Sequence, residues 1–207
     1  MSKEDLLRLK EKVEAALPPS LSQALCGKLY KSLETFLTSK STSPFAKPLH
    51  NRASRCLFQL SASNHDDVLA RVLPYLTSSS SEEDVLTYGV LLEFLNLNQE
   101  QLGRLLTILC PIISSTKKSN AQVAYAKVLR EIIWNWINRY PHEFVALCKE
   151  KRKLCSKAED LFDVFDGLAS NSAKKASFWP TMIMLIILCP DVMVQVVLQK
   201  QDRRAHV

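Results

Sequence analysis

The chain has 207 residues, 47% of them hydrophobic and 23% charged, the make-up of a folded protein with one large domain or a short helical array. Only 4 glycines are present against abundant Leu, Ala, Lys and Glu, which argues against a multi-stranded sheet with tight hairpins. A formal net charge of +6, drawn largely from scattered lysines and basic chain ends, is too modest to carry nucleic-acid or acidic-membrane binding on its own.

Apolar spacing predicts helices from one end of the chain to the other. Leu6, Leu9, Val13, Ala16 and Leu17 share a face over Ser2–Leu17, and Pro18-Pro19 ends that helix because proline cannot continue the hydrogen-bond ladder. Ser20 is the expected N-cap of a second helix carrying Leu21, Leu25, Leu29, Leu33, Phe36 and Leu37, which dissolves in SKSTSP near Pro44. Two short helices follow nearly head to tail, Leu49–Leu60 and, from a cap at Asn64, on to Leu76. Thr77–Ser81 is a loop by composition, and Glu82, Glu83 and Asp84 suit the positive amino end of a helix over Glu82–Leu95. That helix presents Val85, Leu86, Val90, Leu91 and Phe94.

After Asn96-Leu97-Asn98 the chain turns into QEQLGRLLTILCPII, with Leu102, Leu105, Leu106 and Leu109 inward, and then the loop SSTKKSN. A long helix over Ala121–Tyr140 places Val128, Ile132, Ile133, Trp136 and Tyr140 on one side, and Pro141 closes it. A short helix over His142–Cys148, a basic connector and a helix over Ser156–Ser170 lead to the most apolar stretch, FWPTMIMLIILCPD at Phe178–Asp191. Leu, Ile and Met fill seven of the ten positions between Trp179 and Pro190. About 20 apolar residues are needed to span a bilayer, so this run reads as a core helix covered on most of its surface, with Pro180 in its first turn.

About ten helices joined by short loops make an all-α stack, and side-by-side hairpins are its natural solution. No strict sequence period is present, which disfavours a regular TPR or ankyrin array and leaves an α-solenoid of irregular HEAT or armadillo-like hairpins over residues 1–207. Val194, Val197 and Leu198 extend an apolar face close to the end of the sequence; a solenoid normally closes with a polar outer face, so the expectation is that further chain follows.

Chemistry-bearing constellations are sparse. His50, His65, His142 and His206 lie far apart without metal spacing, so neither a metal nor a cofactor is expected. Asp66-Asp67 reads as helix-start charge, and Asp163 with Asp166 as a polar stripe rather than an acid–base pair. The glycines are too isolated to form a phosphate loop, and the residues make no case for an enzyme. Cys26, Cys56, Cys110, Cys148, Cys155 and Cys189 include no C-x-x-C pair, and MSKEDLLRLKEK lacks the apolar segment of a secretory signal; buried thiols in the cytoplasm are the expectation, with nuclear or membrane-peripheral sites as alternatives.

Two features qualify as candidate partner surface. Lys149, Lys151, Arg152 and Lys153, with Lys157, form the densest basic cluster; an exposed connector is the simpler reading, since Glu150 interrupts it and no aromatic residue interleaves. Trp134 and Trp136 of WNW point to different sides of a helix, so one is expected in the core and the other can mark a partner surface, although core for both is the plainer reading.

The segments IIWNWINRYPHEF, LFDVFDGLAS and KKASFWPTMIMLIILCPDV, preceded by LHNRASRCLFQLSASNHDDVLARV, resemble the amino-terminal helical region of the neurofibromin family over about Leu49–Met193. Neurofibromins are large Ras GTPase-activating proteins whose catalytic domain is flanked by HEAT-like arrays that build a dimer. The resemblance implies a non-catalytic HEAT-like scaffold of a negative regulator of Ras signalling, acting through protein partners or self-association. Catalysis in that family uses an arginine finger on a separate domain. No segment here resembles that domain, so no arginine of this chain inherits the role. The rival readings are a stand-alone adaptor docking its partner through Trp134 or Trp136, and a weak binder of nucleic acid or acidic lipid through Lys149–Lys157.

Overall fold

The computed structural model describes residues 19–39, 46–78, 81–149, 153–170 and 174–205. The helix expected over Ser2–Leu17 lies outside these residues. Among the described residues there are ten α-helices and no strand. They are α1 (Pro19–Leu37), α2 (Ala46–Ser63), α3 (His65–Ser78), α4 (Glu82–Glu93) and α5 (Gln99–Ser115), then α6 (Ser119–Arg139), α7 (Pro141–Lys149), α8 (Lys153–Ser170), α9 (Lys175–Leu188) and α10 (Pro190–Ala205).

Local chemistry sets several of the boundaries. Ser81, in extended conformation, accepts the Asp84 amide at the start of α4, and Glu82, Glu83 and Asp84 complement the helix dipole there. α5 opens on a reciprocal capping box: the Asn98 side chain accepts from the Gln101 amide at 2.8 Å, and the Gln101 side chain accepts from the Asn98 amide at 2.9 Å. Pro141 is the first residue of α7, where its missing N–H leaves nothing unsatisfied. Asn64 sits between α2 and α3, but its side chain donates back to the Leu60 carbonyl at 3.3 Å instead of forward into α3.

The helix around which the others gather is α6. Ala124, Tyr125, Leu129, Ile133 and Trp136 are all buried, on more than one side of it. The Tyr125 hydroxyl donates to the Leu76 carbonyl at the end of α3 at 2.7 Å, and the Thr181 hydroxyl of α9 donates to the Ala126 carbonyl at 2.7 Å. α4 packs along α6 in the same direction: Lys127 lies 3.7 Å from Glu82 at the start of α4, and Arg139 donates to the Glu93 carbonyl at its end. α9 also runs parallel to α6, since Lys174 bonds Asn120 near both amino ends and Thr181 meets Ala126 further along. On the other layer α5 and α8 are parallel, with Gly103 beside Leu154 and Cys110 beside Lys157 and Asp160. Alternate helices thus form two rows, α4–α6–α9 and α5–α8, while α1 to α4 pack consecutively.

Four sequence expectations are corrected. α1 begins at Pro19, so Ser20 lies inside it, and it buries Cys26, Tyr30, Leu33, Glu34 and Leu37 while Leu25, Leu29 and Phe36 face outward. A run of leucines four apart drifts about 40° per step around the helix, so Leu33 and Leu37 reach the interior while Leu25 and Leu29 do not. α9 is not covered on most of its surface: Trp179, Ile183 and Ile187 are exposed by 45%, 49% and 43%, because α9 is the outermost described helix of its row. Its start at Lys175 also puts Pro180 in the second turn rather than the first.

Candidate partner surface

Trp134 and Trp136, two residues apart, lie about 200° apart around α6. Trp136 is 2% exposed and packs where α4 ends, near Leu92, Leu97 and Ile132; Trp134 is 52% exposed. This corrects the plainer expectation that both are core, and it removes Trp136 from the candidate surface. Geometry explains the split: α6 is covered by α4 on the Trp136 side, and Trp134, about 200° away, falls on the opposite side.

Of the basic cluster, Lys151 and Arg152 lie outside the described residues, as do the side chains of Lys149 and Lys153, whose backbone closes α7 and opens α8. Lys157 is described; its ammonium lies 3.6 Å from Asp160, one turn along α8. His206 also lies outside the described residues.

The outward face that the sequence did not mark is on α9 and α10. Trp179, Ile183 and Ile187 recur at four-residue spacing, with Lys175 one step before them. They lie on the side of α9 away from Thr181, the residue that meets α6. Val194 and Leu198 on α10 are exposed as well. The four-residue spacing was visible in the sequence, but a helix apolar on every side gives no sign of which stripe stays uncovered.

Elsewhere the ionisable groups have structural surroundings. Asp163, with Lys157 and Asp160, edges a groove of about 390 Å³ between α5 and α8 whose floor includes Leu106 and Cys110. Burial, reinforced by Asp160, pushes the Cys110 thiol above its usual range, which keeps it protonated and poorly nucleophilic. His65 is buried at the start of α3; burial lowers its pKa, Arg104 adding to that and Asp66 opposing it. Glu93, at the end of α4, is raised to about 7 by burial and by Glu131, against the pull of Arg130. Cys26, Cys56, Cys110, Cys155 and Cys189 form no disulfide. Among the described residues no group of three or more His, Cys, Asp or Glu could hold a metal ion, and no helix is long and apolar enough to cross a membrane.

No protein-family model matches the chain. The surface geometry therefore carries the functional reading: exposed tryptophans and aliphatic residues on the outer faces of α6, α9 and α10, supported from behind by buried partners on the same helices.

Proposed function

We propose that the chain is a non-catalytic helical scaffold, an irregular HEAT or armadillo-like solenoid segment of a neurofibromin-like negative regulator of Ras signalling, acting in the cytoplasm through contacts made by its outer helix faces. The observation that supports this reading is the pair of parallel rows, α4–α6–α9 and α5–α8, built by alternating helices. Solenoids grow in this way, each hairpin stacking its helices on the corresponding helices of the one before. The resemblance of Trp134–Pro190 to the neurofibromin helical region supplies the Ras connection.

The test is single-turnover GTP hydrolysis by Ras with the purified chain in excess. The rate is expected to equal that of Ras alone; acceleration would overturn the non-catalytic reading.

The adaptor reading is favoured by one observation, the exposure of Trp134. Trp residues of this kind anchor interfaces by filling a partner's pocket. It differs from the leading proposal in the identity of the partner and not in the surface used. Loss of a partner on Trp134→Ala with the fold intact is its expected signature.

A further inference from the structure

α1 carries an apolar stripe that stays open. Leu25, Leu29 and Phe36 are exposed by 50%, 48% and 41%. At about 100° per residue they lie within about 40° of one another around the helix. The buried side of α1, with Cys26, Tyr30, Leu33 and Leu37, packs on α2 and is centred about 100° away. The stripe is therefore a second contact face rather than the edge of the first, and aligned apolar residues of this kind ask for a cover.

The segment Ser2–Leu17, outside the described residues, joins α1 through Pro18 alone. Its sequence puts Leu6, Leu9, Val13, Ala16 and Leu17 on one helical face and Glu4, Arg8 and Glu11 on the opposite one. Pro18-Pro19 interrupts the hydrogen-bond ladder, and a connection this short sets two helices side by side and antiparallel. The registers match. Val13 and Leu25 each lie six residues from Pro19, and Leu9 and Leu29 each lie ten. Antiparallel pairing about Pro19 thus sets Val13 against Leu25 and Leu9 against Leu29. The sixteen residues of Ser2–Leu17 extend about 24 Å as a helix, and the stripe ends at Phe36, about 26 Å from Pro19. The segment is long enough to cover nearly all of it.

We propose that Ser2–Leu17 folds back as a helix on the Leu25–Leu29–Phe36 face of α1 and covers it. Glu4, Arg8 and Glu11 then form the new outer surface, with Leu7 at its margin, and a polar outer face is what a capping element of a helical array presents. The inference does not depend on the Ras connection. It takes the α1 stripe out of the surfaces open to partners and leaves Trp134 and the outer face of α9 and α10 as those surfaces.

Disulfide trapping in the full chain tests it. Leu9→Cys with Leu29→Cys is expected to close an intramolecular disulfide under mild oxidation, read as the loss of two thiols from a monomer and located by mass spectrometry between positions 9 and 29. Glu11→Cys with Leu29→Cys puts the first thiol on the outer face, beyond the reach of a disulfide, and is expected to stay reduced. Circular dichroism confirms that each variant stays helical. Equal cross-linking of the two pairs overturns the proposal, because an unseated segment brings either thiol to α1. A first pair that stays reduced overturns it as well, and so does a covalent dimer, which would assign the face to a second copy. As a check free of substitutions, nuclear Overhauser effects between the methyl groups of Val13 and Leu25 must appear in the unaltered chain; their absence overturns the proposal.

Discussion

A β-carbon placed on Gly89 would lie 2.3 Å from Cγ2 of Val128. The close approach of α4 to α6 is built on that absence: the glycine leaves a notch in α4, and the valine of α6 fills it. A short buried valine cannot swing aside as a long surface side chain would.

Gly89→Ala is therefore expected to destabilise the fold. Better helix propensity returns about 1 kcal/mol, while overpacking costs about 1–3 kcal/mol, and a clash this close belongs at the upper end. Chemical denaturation should show a net loss, and Val128→Ala in the same chain should recover part of it. Additive losses in the double variant would mean that the two residues do not share the notch.

Arg139 ties three elements together, accepted by two carbonyls at the end of α4 and stacked over Phe58 of α2. Because the side chain is partly exposed, Arg139→Ala is expected to cost about 1–2 kcal/mol. Arg139→Lys should restore little of it, since an ammonium cannot fork to both carbonyls while lying over the ring. Full rescue by lysine would show that charge alone matters.

His65 sits buried with Nδ1 lacking a hydrogen-bond partner, and its pKa is lowered by that burial. The fold favours the neutral ring, so its contribution is present above the ordinary value of 6.5 and is lost as the pH falls through the lower folded value. Thermal unfolding should show a midpoint that drops on acidification below 6.5, with a shallower drop in His65→Leu. Identical profiles for the two chains would remove His65 as the cause.

Where the sequence was legible, one face of a helix was distinct. Leu102, Leu105, Leu106 and Leu109 of α5 are all buried as their spacing implies, and Asn98 caps that helix. It misled where apolar residues occupied more than one face. The leucines of α1 promised a single inward stripe, yet Leu25 and Leu29 face out and Cys26 and Tyr30 face in. The sequence of α9 implies full coverage because nothing in Phe178–Leu188 distinguishes its covered side from Trp179, Ile183 and Ile187. Coverage depends on neighbours, and α6 and α8 cover α9 while leaving Trp179, Ile183 and Ile187 open. The role of Gly89 was equally hidden, since its meaning lies in Val128, far along the chain.

The claim on which the partner surface rests is that α6 is anchored in the core by one tryptophan and offers the other at its surface. Equilibrium denaturation of Trp134→Ala and Trp136→Ala tests it most directly. Trp136→Ala is expected to lose about 3–5 kcal/mol, while Trp134→Ala stays within about 0.5 kcal/mol of the parent. Comparable losses in the two variants would contradict the placement of Trp134 on an open face, and with it the surface proposed for partners.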